Sequence, residues 1–240
     1  MTINREIYNI FPTTIYVGEM ENHKDYKTRF DKLYSKYDYE QKSVRDGEQW
    51  FNTTSENTGK PYIHLEESLS KLFEEIIFNA KIYVHDILKY KDIFDFVITK
   101  TWISRSRASY ENIKWHTHST SHISFTYYIN MPPNSHHIMF ADSSDTKSFF
   151  AGINRQDKHG FHDKEMVKEF NSNNARSFSL NPPEGSIILF PSSTRHGTKG
   201  NVGFDGERLA IVGDVILTLK EDQLQFSMGY IDPKHWRIFN

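Results

Sequence analysis

The chain changes its hydrophobic period once. After an opening β-branched and aromatic run, Ile7 to Val17, apolar residues recur at helical spacing. From Phe94 onward they alternate with period two. The opening run is broken by Pro12, which predicts an edge strand. Tyr26, Phe30, Leu33, Tyr34 and Tyr37 predict a short amphipathic helix over 25–39. Residues 40–60 are rich in Asn, Ser, Thr and Gly and predict a long loop tucked down by Trp50 and Phe51. The clearest helix follows Pro61, with Leu65, Leu69, Leu72, Phe73, Ile76, Ile77, Val84, Ile87 and Leu88 on one broad face. His64 and His85 border that helix as ordinary boundary histidines.

The second part predicts many short strands between Pro and Gly turns: Phe96 to Ile103, His116 to Asn130, Ile138 to Phe140, Ser177 to Leu180 and Ser186 to Phe190. Leu209 to Val212 and Val215 to Leu219 follow, with Gln225 to Ile231 as a further candidate. Residues 104–112 and 141–176 predict loops, the second with a short helix around Lys164 to Phe170. Gly185 suits a tight turn into the apolar strand ended by Pro191. Such a set of strands packs as a sandwich or barrel. With no internal repeat or linker, the expectation is a single domain over 1–240. Its N-terminal strand and helices would span 1–92 and its β core 93–231.

Composition narrows the function classes. The 240 residues suffice for a substantial core, and eighteen Phe and thirteen Tyr offset a modest 37% apolar fraction. The net charge of −2 comes without a basic block, so neither nucleic acid nor an anionic membrane is an expected partner. The absence of cysteine removes disulfides and thiolate catalysis and fits a reducing compartment. No apolar run reaches the roughly 18 residues of a membrane span, and the first residues lack a signal-peptide core. A cytoplasmic protein is expected.

Chemistry concentrates in two blocks. In Trp115-His116-Thr117-His118, an extended backbone would point His116 and His118 to one face, as a bidentate pair for a divalent metal. A hydrogen-bonded surface pair would look the same in sequence. The second block, Pro182 to Arg208, places His196 after an apolar strand and Arg208 at the start of the next. The two are expected on adjacent strands facing one cavity. Together they favour a metal site over incidental histidines. His122 is expected either to orient a ligand or to be exposed. His136 and His137 are expected in a turn, and His159 and His162 in a solvated loop.

These blocks resemble the iron(II)- and 2-oxoglutarate-dependent oxygenases, and most closely a bacterial and phage subfamily of that group. Ile10-Phe11-Pro12-Thr13, the stretch His116 to Tyr128, and Pro182 to Arg208 match its motifs in order. The resemblance implies a mostly β fold with N-terminal helices, a double-stranded β-helix (jelly-roll, cupin-like). It further implies Fe(II), 2-oxoglutarate and O2 as cofactor and cosubstrates, and a hydroxylase acting on a substrate that the motifs do not name. It makes His116 the proximal and His196 the distal iron ligand. Arg208 would hold the far carboxylate of 2-oxoglutarate, with Tyr110 and Tyr128 beside it. Most of the superfamily has His-x-Asp or His-x-Glu where this chain has His118. The third ligand is therefore His118, with Asp142 or water as alternatives. The frequent Arg-x-Ser is Arg208-Leu209-Ala210 here, so Tyr110, Ser124, Thr126 or Tyr128 must supply a helping hydroxyl. Two other readings stand: a cupin-like three-histidine metal enzyme without 2-oxoglutarate, and a non-catalytic β-sandwich binding module.

Overall fold

The computed structural model of the protein describes residues 12–34, 40–43, 49–52, 62–107, 113–141, 168–171, 173–175, 177–199, 204–223, 230 and 233–237. Seven strands form the larger sheet, each antiparallel to its neighbour. In spatial order they are β1 (Tyr16–Glu19), β8 (Ser186–Pro191), β5 (Ile123–Asn130), β10 (Arg208–Leu219), β4 (Phe94–Ser106), β3 (Gln49–Asn52) and β2 (Glu40–Ser43). A smaller antiparallel sheet runs β7 (Ser177–Leu180), β6 (His137–Ala141), β9 (Arg195–Lys199). The result is mostly β, with α1 (His23–Tyr34) and α2 (Ser70–Lys81) at the front, in the jelly-roll arrangement that the resemblance implies.

The central strands are buried on both faces, and period two sorts their side chains. Ile123, Phe125, Tyr127 and Ile129 of β5 pack in the main core with Leu209, Ile211 and Val215 of β10 and Ile187 and Leu189 of β8. Leu72, Phe73 and Ile76 of α2 and Tyr26 and Phe30 of α1 close that core. The alternate residues Tyr128, Ala210, Ile188 and Phe190 form a second cluster with Ile138 and Phe140 of the smaller sheet. One set of strands therefore supports the helices on one side and the space between the sheets on the other.

Several elements differ from the sequence expectation. The loop predicted over 40–60 contains the β2–β3 hairpin, held to the sheet through Phe51 opposite Arg105 and Asn52 opposite Ser104. That pairing is supplied by a distant strand, so local composition does not show it. The helix after Pro61 begins as two 3-10 turns, becomes regular only at Ser70, and ends in a π-helical turn, Ile82–Ile87. Strand β5 starts at Ile123 rather than His116. His137 opens β6 and His136 is fully buried, so neither lies in an exposed turn. The expectations for 1–11, 35–39, 159 and 162 lie outside the described residues, as do most of those for the 164–170 helix and the 225–231 strand.

The two strands predicted around Gly213 are one continuous strand, β10, with a register shift between Asp214 and Val215. Gly213 keeps it continuous because the sheet closes tightly there. A Cβ at this position would stand 2.5 Å from Phe125 Cζ and 2.7 Å from Thr101 Cγ2. Gly213→Ala should therefore cost about 1–3 kcal/mol of stability, the usual cost of overpacking. Phe125→Leu in the same chain, by removing the ring tip, should recover part of that loss. Denaturant unfolding of the single and double variants measures both effects.

Helix α1 is fastened to the turn that leads into β8. Gly185 takes a φ of +86° there, as the tight turn requires. Glu184 beside it accepts hydrogen bonds from Lys27 Nζ at 2.7 Å and from the Met131 N–H at 3.3 Å, with His23 Nε2 3.2 Å away. Burial pushes the Glu184 carboxyl up, but these partners outweigh it and hold it below the ordinary glutamate value. A carboxyl lowered on folding stabilises the fold above its unfolded pKa, about 4.3. That contribution fades as pH falls through the folded value. Glu184→Gln should therefore melt below the unmutated protein at pH 7, with the gap closing below about pH 4. Paired thermal melts across that range check the sign.

Candidate metal centre

His116, His118 and His196 reach one point from two segments. His196 follows the end of β8 at Pro191, as expected, and lies on a further strand, β9; its backbone exchanges two 2.9 Å hydrogen bonds with His116. His118 is anchored two residues on, through its N–H to the Ser192 carbonyl at 2.9 Å. Pairing with the β8–β9 segment, rather than membership of a regular strand, therefore brings the two motif histidines together. Ring centroids lie 4.2 Å apart for His116–His196, 5.1 Å for His118–His196 and 5.2 Å for His116–His118. One nitrogen from each ring falls within 4.8 Å of the others, close enough to share a metal ion.

The donor set fits a divalent metal. Each Nδ1 is already used: His116 with the Lys114 carbonyl at 2.8 Å, His196 with the Thr194 carbonyl at 2.9 Å, and His118 with Asp214 Oδ1 at 2.6 Å. These partners are acceptors, so each Nδ1 is the donor and each Nε2 is the nitrogen left to face the other rings. Burial, together with the neighbouring imidazoles, holds His116 below its ordinary value and His196 down to about 3. Those two rings are neutral at pH 7, as ligation requires.

The histidines open into a cavity of about 350 Å³ between the sheets, walled by Trp102, Thr126, Ile138 and Val212 and closed by Arg208. Arg208 is 3% exposed; its Nε donates to the His136 carbonyl at 3.1 Å, and its guanidinium lies 5.1 Å from the centroid of the Tyr128 ring. Burial raises the Tyr128 hydroxyl above its ordinary value, outweighing the opposing pull of the adjacent guanidinium. His196 and Arg208 do face one cavity, but from opposite sheets, β9 and β10, rather than from adjacent strands. Thr126 lines the cavity and Ser124 lies beneath His118. Tyr110 and Asp142 lie outside the described residues. His122 is turned away from the cluster: its Nδ1 accepts the Leu217 N–H at 2.9 Å and its ring packs against Tyr230.

Sequence reasoning missed Asp214, Lys100 and Trp102. Asp214 is 0% exposed and carries the His118 bond. It did leave a signal, an acid in the apolar run Ile211-Val-Gly-Asp-Val-Ile216. A charge in a strand buried on both faces needs a partner. Lys100 and Trp102 gave no such signal, because their place in the cavity depends on the register of β4 against β10.

A histidine cluster and a buried arginine thus line one cavity of a jelly-roll fold. The comparisons sharpen this. Residues 100–214 match the family described as "Putative 2OG-Fe(II) oxygenase". No curated protein sequence matches the chain. Among solved structures, similarity extends to HygX from Streptomyces hygroscopicus, crystallised with nickel, 2-oxoglutarate and hygromycin B. Identity there is 11%, coverage 92% of each chain and TM-score 0.53. The non-heme alpha ketoglutarate dependent epimerase SnoN from nogalamycin biosynthesis shares 10% identity over 87% of this chain and 80% of its own, with TM-score 0.56. AviO1 from Streptomyces viridochromogenes Tue57 shares 11% identity over 88% of this chain and 91% of its own, with TM-score 0.52. At these identities the likeness is one of fold.

Proposed function

We propose that the protein is an iron(II)- and 2-oxoglutarate-dependent oxygenase in which His116, His118 and His196 hold the metal and Arg208 holds the cosubstrate. The observation that carries this reading is the pairing of three oriented imidazoles with a buried guanidinium in one cavity. The family match over the same residues supports it.

Each proposed role follows from a contact. The Lys114 and Thr194 carbonyls and the Asp214 carboxylate fix the three rings so that Nε2 faces the cavity. Arg208 offers a planar fork for a carboxylate, and its bond to the His136 carbonyl fixes the direction of that fork. Tyr128 packs beneath the guanidinium and supports it. Trp102, Ile138 and Val212 supply apolar walls that exclude water from the space between. Bound there, iron with 2-oxoglutarate would supply oxygen activation, with succinate and carbon dioxide as the cosubstrate products. The substrate is a small molecule or peptide able to reach this cavity.

A second reading has one observation in its favour: the third side chain is an imidazole, not a carboxylate, as suits a cupin-like metal enzyme without 2-oxoglutarate. Anaerobic titration with iron(II) and then 2-oxoglutarate separates the two through the metal-to-ligand charge-transfer band. His116→Ala and His196→Ala should each abolish stoichiometric iron binding while leaving the far-ultraviolet circular dichroism unchanged. Iron content near that of the unmutated chain would remove the variant position from the ligand set.

Arg208→Ala should weaken 2-oxoglutarate binding at least tenfold and leave iron affinity nearly unchanged. Arg208→Lys should lose less, because it keeps the charge without the fork. Unchanged 2-oxoglutarate affinity in Arg208→Ala would favour the cupin-like reading.

A further inference from the structure

We infer that Asp214 is a positioning residue for the candidate metal centre, placing a carboxylate charge one imidazole behind His118, where most of the superfamily would place a carboxylate ligand. The inference rests on the proposed ligand role of His118.

Four observations lead to it. First, Asp214 is aimed by the sheet itself. In the register of β5, β10 and β4, Ser124, Asp214 and Lys100 stand directly opposite one another on the face turned toward the histidines. Second, its Oδ1 lies 2.6 Å from His118 Nδ1, and a carboxylate only accepts. Nδ1 is therefore the donor, which leaves Nε2 as the nitrogen available for a metal. Third, Ser124 Oγ lies 2.8 Å from the same Oδ1 and must spend its single proton there. Its oxygen then accepts from Ser192 Oγ at 2.9 Å, which accepts from Ser121 Oγ at 2.8 Å. Three hydroxyl protons thus run in sequence toward Asp214 and keep its charge oriented. Fourth, Lys100 Nζ lies 3.0 Å from the other oxygen, Oδ2, as an ion pair. The Lys100 side chain is 39% exposed, so water screens it, while Oδ1 keeps its 2.6 Å contact with the imidazole.

A merely structural role does not call for an acid. A buried carboxylate is costly to desolvate, and an amide or hydroxyl could accept from His118 Nδ1 just as well. The neighbouring rings show this: His116 and His196 donate to neutral backbone carbonyls. Of the three clustered rings, the one at the anomalous motif position has the anionic partner. Hydrogen bonding to a carboxylate fixes the tautomer of a ligating imidazole and raises its basicity, and loss of such a partner typically weakens metal binding 10–100-fold.

Asp214→Asn tests this, because it keeps the size of the side chain and removes the charge. Iron(II) alone, titrated anaerobically against a competing chelator, should bind the variant roughly 10–100-fold more weakly than the unmutated chain. Affinity within threefold of the unmutated value overturns the inference while leaving the metal-centre reading intact. Failure of the unmutated chain to bind iron overturns both. A second measurement does not depend on the variant folding: nitrogen-15 NMR of the His118 ring in the unmutated metal-free chain. Protonated Nδ1 and bare Nε2 are the expected result, and the opposite tautomer overturns the inference.

Discussion

Burial of the central strands on both faces governs this molecule. Between α2 on one side and the smaller sheet on the other, β5, β8 and β10 have almost no solvent-facing side. Their alternation therefore sorts one core from another rather than core from surface. The helix-facing residues are uniformly apolar and carry most of the packing energy. The opposite face is buried too, yet it contains Ser124, Thr126, Arg208 and Asp214. Polar side chains survive there only where they answer one another.

Charge is arranged accordingly. Arg208 opens β10 and Asp214 stands at its middle on the same face, six residues on. Each would cost several kcal/mol if left unpaired in such surroundings. Asp214 is answered by His118, Ser124 and Lys100. Arg208 is answered by the His136 carbonyl and the Tyr128 ring. The aspartate is met by groups that point it at His118. The arginine closes the cavity at the other end, where its remaining donors suit a carboxylate.

The same constraint decides what could be read from the chain alone. The apolar spacing of α2 and of the central strands was visible, because those positions answer to local period. His116, His118, His196 and Arg208 were visible through their order and spacing. The β2–β3 hairpin was not, since its place depends on Arg105 and Ser104 far along the chain. Gly213-Asp214 looked like a break between two strands. It is the close approach of Phe125 that admits the glycine, and the buried partners of Asp214 that admit the acid, within one continuous strand. Asp214 was thus hidden by the two properties that define it, its neighbours across the sheet and its burial.

That hidden residue also resolves the anomaly in the motif. In the proposed site, three imidazole ligands would leave the double charge of a divalent metal without an anionic ligand in a cavity walled by Trp102, Ile138 and Val212. A carboxylate ligand would offset part of it by direct contact. Here the offset is moved back by the width of one ring, through the 2.6 Å bond from His118 to Asp214. Attraction falls with that extra distance but acts through a buried path, where screening is weak. His118 and Asp214 together can therefore stand in for the missing carboxylate, and the departure at position 118 and the acid at 214 read as two parts of one arrangement.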